Sequence, residues 1–352
     1  MKQSLKNALQ DQLNQSLLFA PCLGINVTLK DEKHGYWTAA SGFAEPKTRT
    51  PMSVDGQFYI YSITKTFTAI AILQLAQNQK LSLDEPVTNW LPDLPFPPSV
   101  TIRRLLNHTS GVPNYVSLET YLPAVEESPS VPWSYNKVLE LTCHRKLDFE
   151  PGSSWRYSNT GYMLLLKVIE AVNGDTFANV LQNNIFNFLG LEKTYVATEI
   201  DTGDLVPGFS RELNSNRLME NVIPKYHPGW CATGVIVSTT SDVVQFYDSI
   251  FSEKLISAEQ LGDMLQPILT DEPPSSFFRK PCYGLGVMLD PESEYGKKIG
   301  HGGGGPGYST WVMHLTNFQG RKLTMAVFCN TSMGLYPLLS LTNDLLFVLG
   351  DA

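Results

Sequence analysis

The chain has no hydrophobic run approaching the ~18 residues that a membrane span requires, and it contains no C-x-x-C pair. Its five cysteines, Cys22, Cys143, Cys231, Cys282 and Cys329, are scattered and odd in number. That pattern suits free, buried thiols better than a disulfide framework or a zinc site. Cations are also short: 26 Lys and Arg face 34 Asp and Glu, for a formal net charge of -8. A nucleic-acid partner is therefore not expected, because phosphate binding draws on a surplus of Lys and Arg on one face. The stretch from Met1 to Phe19 lacks the continuous apolar segment of a secretion signal and instead carries Leu5, Leu9, Leu13 and Leu17 at four-residue spacing, which reads as an amphipathic helix. A cytoplasmic protein is expected, provided the sequence is the full gene product. The histidines His34, His108, His144, His227 and His314 show no metal-ligand spacing and read as surface or packing residues, so neither a metal nor a cofactor is expected.

What is present is an ordinary globular composition: 352 residues, 43% hydrophobic and 17% charged, enough to bury a large core in two lobes. The substrate expected is a small molecule or peptide, while the oligomeric state is not legible. Cys22 to Lys30 and Tyr36 to Phe43 read as a hairpin around Asp31 to Gly35. From Ser62 to about Gln79 the chain is apolar at helical spacing nearly all round, the pattern of a helix buried between layers. From about 80 to 225 the sequence turns to helices joined by proline-rich loops, with the clearest at Tyr135 to Arg145, Thr160 to Val172 and Phe177 to Phe188. Strands return at Tyr283 to Met288, Tyr308 to His314 and Lys322 to Cys329, followed by a closing helix from Tyr336 to Leu349. The expected fold is α+β: an antiparallel sheet flanked by N- and C-terminal helices, with an inserted, mostly helical lobe. The expected domains are 1–79 with 226–352 for the sheet and 80–225 for the lobe, with the active site in the cleft between them.

Chemistry is concentrated in three stretches. Ser62-Ile63-Thr64-Lys65 puts a hydroxyl and an amine one turn apart at the start of the apolar helix. A serine needs a base to become a nucleophile, and a helix N-terminus favours the oxyanion that attack creates. Ser134-Tyr135-Asn136-Lys137 matches the same S-x-x-K pattern, but there Ser134 reads as a helix N-cap and Lys137 as a solvated side chain. Burial of Lys65 would lower its affinity for a proton, as a base requires. In the second stretch, Tyr157-Ser158-Asn159, the tyrosine can shuttle a proton and the asparagine can donate to a carbonyl and accept from an amine; a packed aromatic and an N-cap are the competing readings. The third, Gly300-His301-Gly302-Gly303-Gly304-Gly305-Pro306-Gly307, lies before the strand Tyr308 to His314 and offers bare backbone to a substrate. Two further patterns occur there, G-x-G-x-x-G and a lipase-like His-Gly-Gly-Gly. The first has no room for a dinucleotide fold, and the second has no G-x-S-x-G elbow to serve.

Taken in order, with about ninety and about one hundred and forty residues between them, these stretches resemble the three active-site boxes of the serine β-lactamase-like superfamily. The branch they resemble holds class C β-lactamases, DD-carboxypeptidases, D-aminopeptidases and related esterases. Arg103 to Pro113, Gly234 to Asp242 and Tyr283 to Gly286 are similar to other segments of that family, and the likeness runs from about Pro21 to Leu349. The resemblance implies that Ser62 is acylated, that Lys65 helps deprotonate it and that Tyr157 relays protons to the leaving group and then from the deacylating water. It further implies that Asn159, His301 and Gly303 face the substrate, and that the N–H groups of Ser62 and Gly304 form an oxyanion hole. His301 stands where many β-lactamases carry a lysine, and Gly302 where they carry a threonine. A histidine is largely neutral near pH 7, so the expectation shifts from an efficient β-lactamase towards an esterase, D-amino-acid amidase or DD-peptidase-like serine hydrolase. An acylated sensor without turnover and an acyltransferase share the same acylation step and remain alternatives.

Overall fold

The computed structural model describes residues 1–200, 203–213 and 217–351. Helix α1, Gln3–Phe19, turns Leu5, Leu9 and Leu13 inward, as their spacing predicts. It packs beside the closing helix Tyr336–Gly350 on the outer face of a nine-stranded sheet. In spatial order the strands are Thr50–Pro51, Gly35–Glu45, Gly24–Asp31, Arg321–Cys329, Tyr308–Phe318, Lys298–Gly305, Met288–Asp290, Cys282–Tyr283 and Ile268–Leu269. Every pairing is antiparallel. Alternation along each strand divides the core in two. Trp311, Met313, Met325 and Val327 meet the terminal helices, while Val312, Ala326 and Phe328 face the inner layer.

The inner layer contains the helix expected from the apolar run. Its regular part, which we call α2, is Thr64–Gln77, preceded by a 3₁₀ turn at Tyr61–Ile63 that carries Ser62. Every residue of α2 from Thr64 to Leu73 is buried. The Phe67 ring stacks on Phe246 at 3.6 Å between centroids, and the Thr66 hydroxyl bonds both the Gly286 carbonyl and Tyr247. Helix α3, Asn159–Asn173, lies in the same core and ends on Gly174 in the left-handed conformation.

Two expectations are corrected, and one strand is added. Tyr283 to Met288 is not one strand: Cys282–Tyr283 and Met288–Asp290 are separate, joined by a turn in which Gly286 has φ 76° and presses on Ala69 and the Lys65 carbonyl. Phe177 to Phe188 is not one α-helix but is interrupted by a wider π turn at Gln182–Phe186. The glycine box, which lies before the strand Tyr308–Phe318, is itself a strand: residues 300–305 belong to Lys298–Gly305 and pair with Tyr308–Phe318. On its other side that strand pairs with Met288–Asp290 only as far as Gly300, which leaves the edge from His301 onward facing the Ser62 turn.

The glycines there differ in what they tolerate. A Cβ on Gly303 would stand 2.2 Å from the Ile60 carbonyl oxygen and 2.3 Å from the Thr310 hydroxyl, whereas one on Gly304 would meet nothing within 4 Å. Gly303→Ala is therefore expected to cost about 1–3 kcal/mol of stability by overpacking and to push the strand off the Ser62 turn. Gly304→Ala should leave stability close to wild type, because its Cβ would project into open space. Urea unfolding together with kcat for the two variants checks this, and equal behaviour of the pair would count against the close approach.

Candidate active site

Ser62 follows a strained residue. Tyr61 has φ 44°, a region that aromatic side chains rarely enter and that typically costs about 1–3 kcal/mol. Its hydroxyl donates to the Pro306 carbonyl at 2.5 Å, and its ring lies so close to Gly305 that a Cβ there would be 2.5 Å away. The strand end thus holds the turn that presents Ser62. One helical turn on, the Lys65 ammonium donates to the Ser62 hydroxyl at 2.9 Å and to Asn159 Oδ1 at 2.8 Å. Its Nζ also stands 4.9 Å from the centroid of the Tyr157 ring and 5.5 Å from that of Tyr162. Lys65 is 1% exposed. Burial lowers its pKa from 10.5 to about 7, and the nearby Cys231, which could oppose this only as a thiolate, is held in its neutral thiol form by burial.

Asn159 is not the helix cap. Ser158 caps α3 by accepting the Gly161 N–H at 3.2 Å, which frees the Asn159 side chain for the site. The Asn159 backbone N–H and Nδ2 both donate to Asn114 Oδ1, at 3.1 and 3.2 Å, so its carbonyl oxygen is the end aimed at Lys65. Tyr157 reaches the Ser62 hydroxyl, but burial outweighs that contact and raises the phenol well above 10. It is a neutral phenol at working pH. His301 is 1% exposed. Its Nδ1 faces the Gly302 carbonyl at 2.6 Å and therefore carries the proton, while Nε2 accepts from the Tyr283 hydroxyl at 2.8 Å. Burial, with Lys65 nearby, lowers its pKa to about 3, so it carries no charge near neutrality. Gly304 lines the same cavity as Ser62 and Asn159.

The rival S-x-x-K pair lies elsewhere and behaves as a cap. Ser134 accepts the Lys137 N–H at 3.2 Å, and the half-exposed Lys137 pairs with Glu140. Of the aromatics Tyr115, Trp230 and Tyr308, Tyr115 lines the Ser62 cavity; Trp230 and Tyr308 are buried and do not line it.

A sequence model of the beta-lactamase family matches residues 20–336. This chain belongs to that beta-lactamase family. Penicillin-binding protein 4* of Bacillus subtilis (strain 168) is 30% identical over 284 residues, which make up 77% of this chain and 61% of that protein, so the chain spans less than two thirds of the relative's length. The D-amino acid amidase from Ochrobactrum anthropi SV3, solved with L-phenylalanine amide, superposes with a TM-score of 0.84 at 26% identity, covering 98% of this chain and 97% of its own. A D-stereospecific amidohydrolase from Streptomyces sp. gives a TM-score of 0.79 at 28% identity, covering 93% and 94%. The sheet and its helices are the β-lactamase/transpeptidase-like fold of these neighbours.

Two residues that sequence reasoning passed over complete this family member's site. Asn114 orients Asn159, as above. His108, set down as surface or packing, is buried directly behind Tyr157, at 4.3 Å between ring centroids. Its carbonyl accepts the Arg156 N–H at 3.0 Å and its Nδ1 accepts the Ser158 N–H at 3.1 Å, so it brackets Tyr157 on both sides in the chain. Burial, then the neighbouring Lys65 and His301, hold its pKa well below 6.5, which keeps Nδ1 free to accept. The available signal was its place in Asn107-His108-Thr109-Ser110-Gly111, a family-like segment with no chemistry of its own on paper.

Because Lys65 must be neutral to accept a proton, kcat/KM should rise through an acid limb near pH 7 and flatten above it. His108 and His301 stay neutral across that range and add no limb of their own. A profile flat from pH 5 to 9 would contradict Lys65 as the group titrating there. For His108, whose φ of 64° suits asparagine, His108→Asn keeps an acceptor for Ser158 and should retain most activity. His108→Leu is expected to lower kcat about a hundredfold, the scale of a small misplacement of a reacting group, with little change in KM. Equal loss in both variants, or a change confined to KM, would remove the positioning role.

Proposed function

We propose that this protein is a serine hydrolase that works through an acyl-enzyme on esters and amides that carry no carboxylate, with D-amino-acid amides or esters as the leading substrate class. The observation that carries the reading is Lys65: a buried amine 2.9 Å from Ser62, with no carboxylate partner among the described residues to hold its proton. Neutral Lys65 accepts the Ser62 proton as Oγ bonds to the substrate carbonyl carbon. The oxyanion turns towards the N–H groups of Ser62, in the turn before α2, and of Gly304, on the strand Lys298–Gly305. Lys65 returns the proton through the neutral Tyr157 phenol to the departing oxygen or nitrogen, whose bond to carbon breaks. Water then attacks the ester, giving a proton back along Tyr157 and Lys65 to Ser62 and releasing the acid. Neutral Tyr157 is a relay in this scheme, and Lys65 is the base.

The substrate class rests on charge and shape. The cavity of about 210 Å³ beside Ser62 is walled by Tyr61, Tyr115, Tyr121, Val125, Leu213 and Tyr226. Among the described residues lining it, Glu212 is the one with a carboxyl or basic side chain. An aromatic or branched side chain with a nearby ammonium suits that wall, in keeping with the amidases among the neighbours. Neutral His301 offers no cation to a substrate carboxylate, which counts against β-lactams and cell-wall peptide ends. No described helix is long and apolar enough to cross a membrane. The five free cysteines suit a reducing compartment, so we place the activity in the cytoplasm, a placement that recovery from a secreted fraction would reject.

The test is a panel of a short-chain p-nitrophenyl ester, D-phenylalanine p-nitroanilide and nitrocefin against wild type and Ser62→Ala. Sustained turnover of the ester and anilide, weak turnover of nitrocefin, and loss of all of it in the variant are expected. A stoichiometric burst that stops would favour an acylated sensor, and turnover surviving in Ser62→Ala would sink the proposal.

A further inference from the structure

Two of the five cysteines meet where the two ends of the chain come together. Helix α1 ends at Phe19 on the outer face of the sheet, and Ala20 and Pro21 lead from it to Cys22, just ahead of the strand Gly24–Asp31. That strand pairs with Arg321–Cys329, with Ile25 opposite Cys329. The match continues past the pairing: the Asn330 N–H donates to the Gly24 carbonyl at 3.2 Å, and the Leu23 N–H donates to the Thr331 hydroxyl at 3.3 Å. Cys329 belongs to the outer apolar cluster with Met325 and Val327, as strand alternation requires, and Cys22 packs against that same cluster. The two thiols are hydrogen-bonded to each other, and Met333 Sδ stands 3.9 Å from Cys329 Sγ. Cys143 and Cys231 are instead bonded to the hydroxyls of Thr142 and Tyr226.

The paired thiols differ in access. Cys22 is half-buried, whereas Cys329 is fully buried. Burial, then the adjoining Cys22, holds the Cys329 thiol well above the ordinary range, so it stays protonated until it reacts. A small oxidant therefore reaches Cys22 first and finds Cys329 in contact behind it. An accessible sulfur backed by a second thiol is the arrangement that turns oxidation into a disulfide instead of an irreversible acid.

We propose that Cys22 and Cys329 are a redox-sensitive pair that forms a reversible disulfide on exposure to hydrogen peroxide. The Cys22 thiolate attacks one peroxide oxygen, the O–O bond breaks, and the departing hydroxide takes up a proton to leave as water, with Cys22 now a sulfenic acid. The Cys329 sulfur then attacks the Cys22 sulfur while its proton passes to the leaving hydroxyl, so the S–S bond forms and a second water departs. The thiols are oxidised by two electrons in total and peroxide is reduced by two. In a reducing compartment the pair rests as two thiols, in keeping with the cytoplasmic placement above. The bond closes nearly the whole chain into one loop, a constraint that falls mainly on the unfolded chain and so favours the folded one. This device is independent of the Ser62 chemistry.

The test treats the full-length native protein with dilute hydrogen peroxide, blocks the remaining thiols with iodoacetamide in urea, and maps the peptides by mass spectrometry without reductant. A peptide pair linked through Cys22 and Cys329, lost on adding dithiothreitol, is expected, with Cys143, Cys231 and Cys282 recovered as alkylated thiols. The treated protein should unfold at higher urea than the reduced protein, and dithiothreitol should return the midpoint to its starting value. Cys22→Ser, at a half-buried position, should unfold close to reduced wild type and show neither the link nor the shift. Cys22 carried to sulfinic acid without a link, a link through a different pair of cysteines, or a linked protein no more resistant to urea than the reduced one would overturn the proposal.

Discussion

The site depends on the burial of one amine that has no counter-ion among the described residues. Lys65 sits in the first turns of a helix buried almost all round, among Ser62, Asn159, Tyr157 and Tyr162. In water its proton would be held far too tightly for base chemistry at neutral pH. Removing water, and supplying neutral hydrogen-bond partners in place of a carboxylate, brings the pKa to about 7. Lys298 shows the contrast within the same molecule. It too is lowered by burial, yet Asp290 and Glu294 pull it back. Neutral His301 belongs to the same design, because burial beside Lys65 leaves it uncharged.

Holding that amine in place falls to the surrounding frame. The sheet brings the strand Lys298–Gly305 against the Ser62 turn so closely that Gly303 has no room for a side chain. Tyr61 stores backbone strain immediately before Ser62, fixed by its bond to Pro306. On the opposite side, His108 brackets Tyr157 and Asn114 fixes Asn159, so both side chains are oriented by residues outside the proposed chemistry. A strained turn, a bare strand and two orienting side chains therefore converge on one amine.

Much of this was legible in the chain. The leucine spacing of α1, the all-round apolar pattern of α2 and the S-x-x-K pair at its start each translate directly into a physical expectation. What escaped had no local signal. The break between Tyr283 and Met288 comes from Gly286 packing against α2, a tertiary contact. The glycine box carries no strand signal because glycine disfavours strands, yet here it pairs with Tyr308–Phe318 and approaches Ile60 closely. His108 and Asn114 look like ordinary loop residues, because their importance lies in whom they touch across the fold.

The central claim is that Ser62, activated by Lys65, becomes acylated. Rapid-quench mass spectrometry after mixing with an activated short-chain ester tests it most directly. A mass increase of one acyl group on the peptide carrying Ser62, formed faster as pH rises through 7 and absent from Ser62→Ala, is the predicted result. No adduct despite turnover, or an adduct on another residue that persists in the variant, would contradict it.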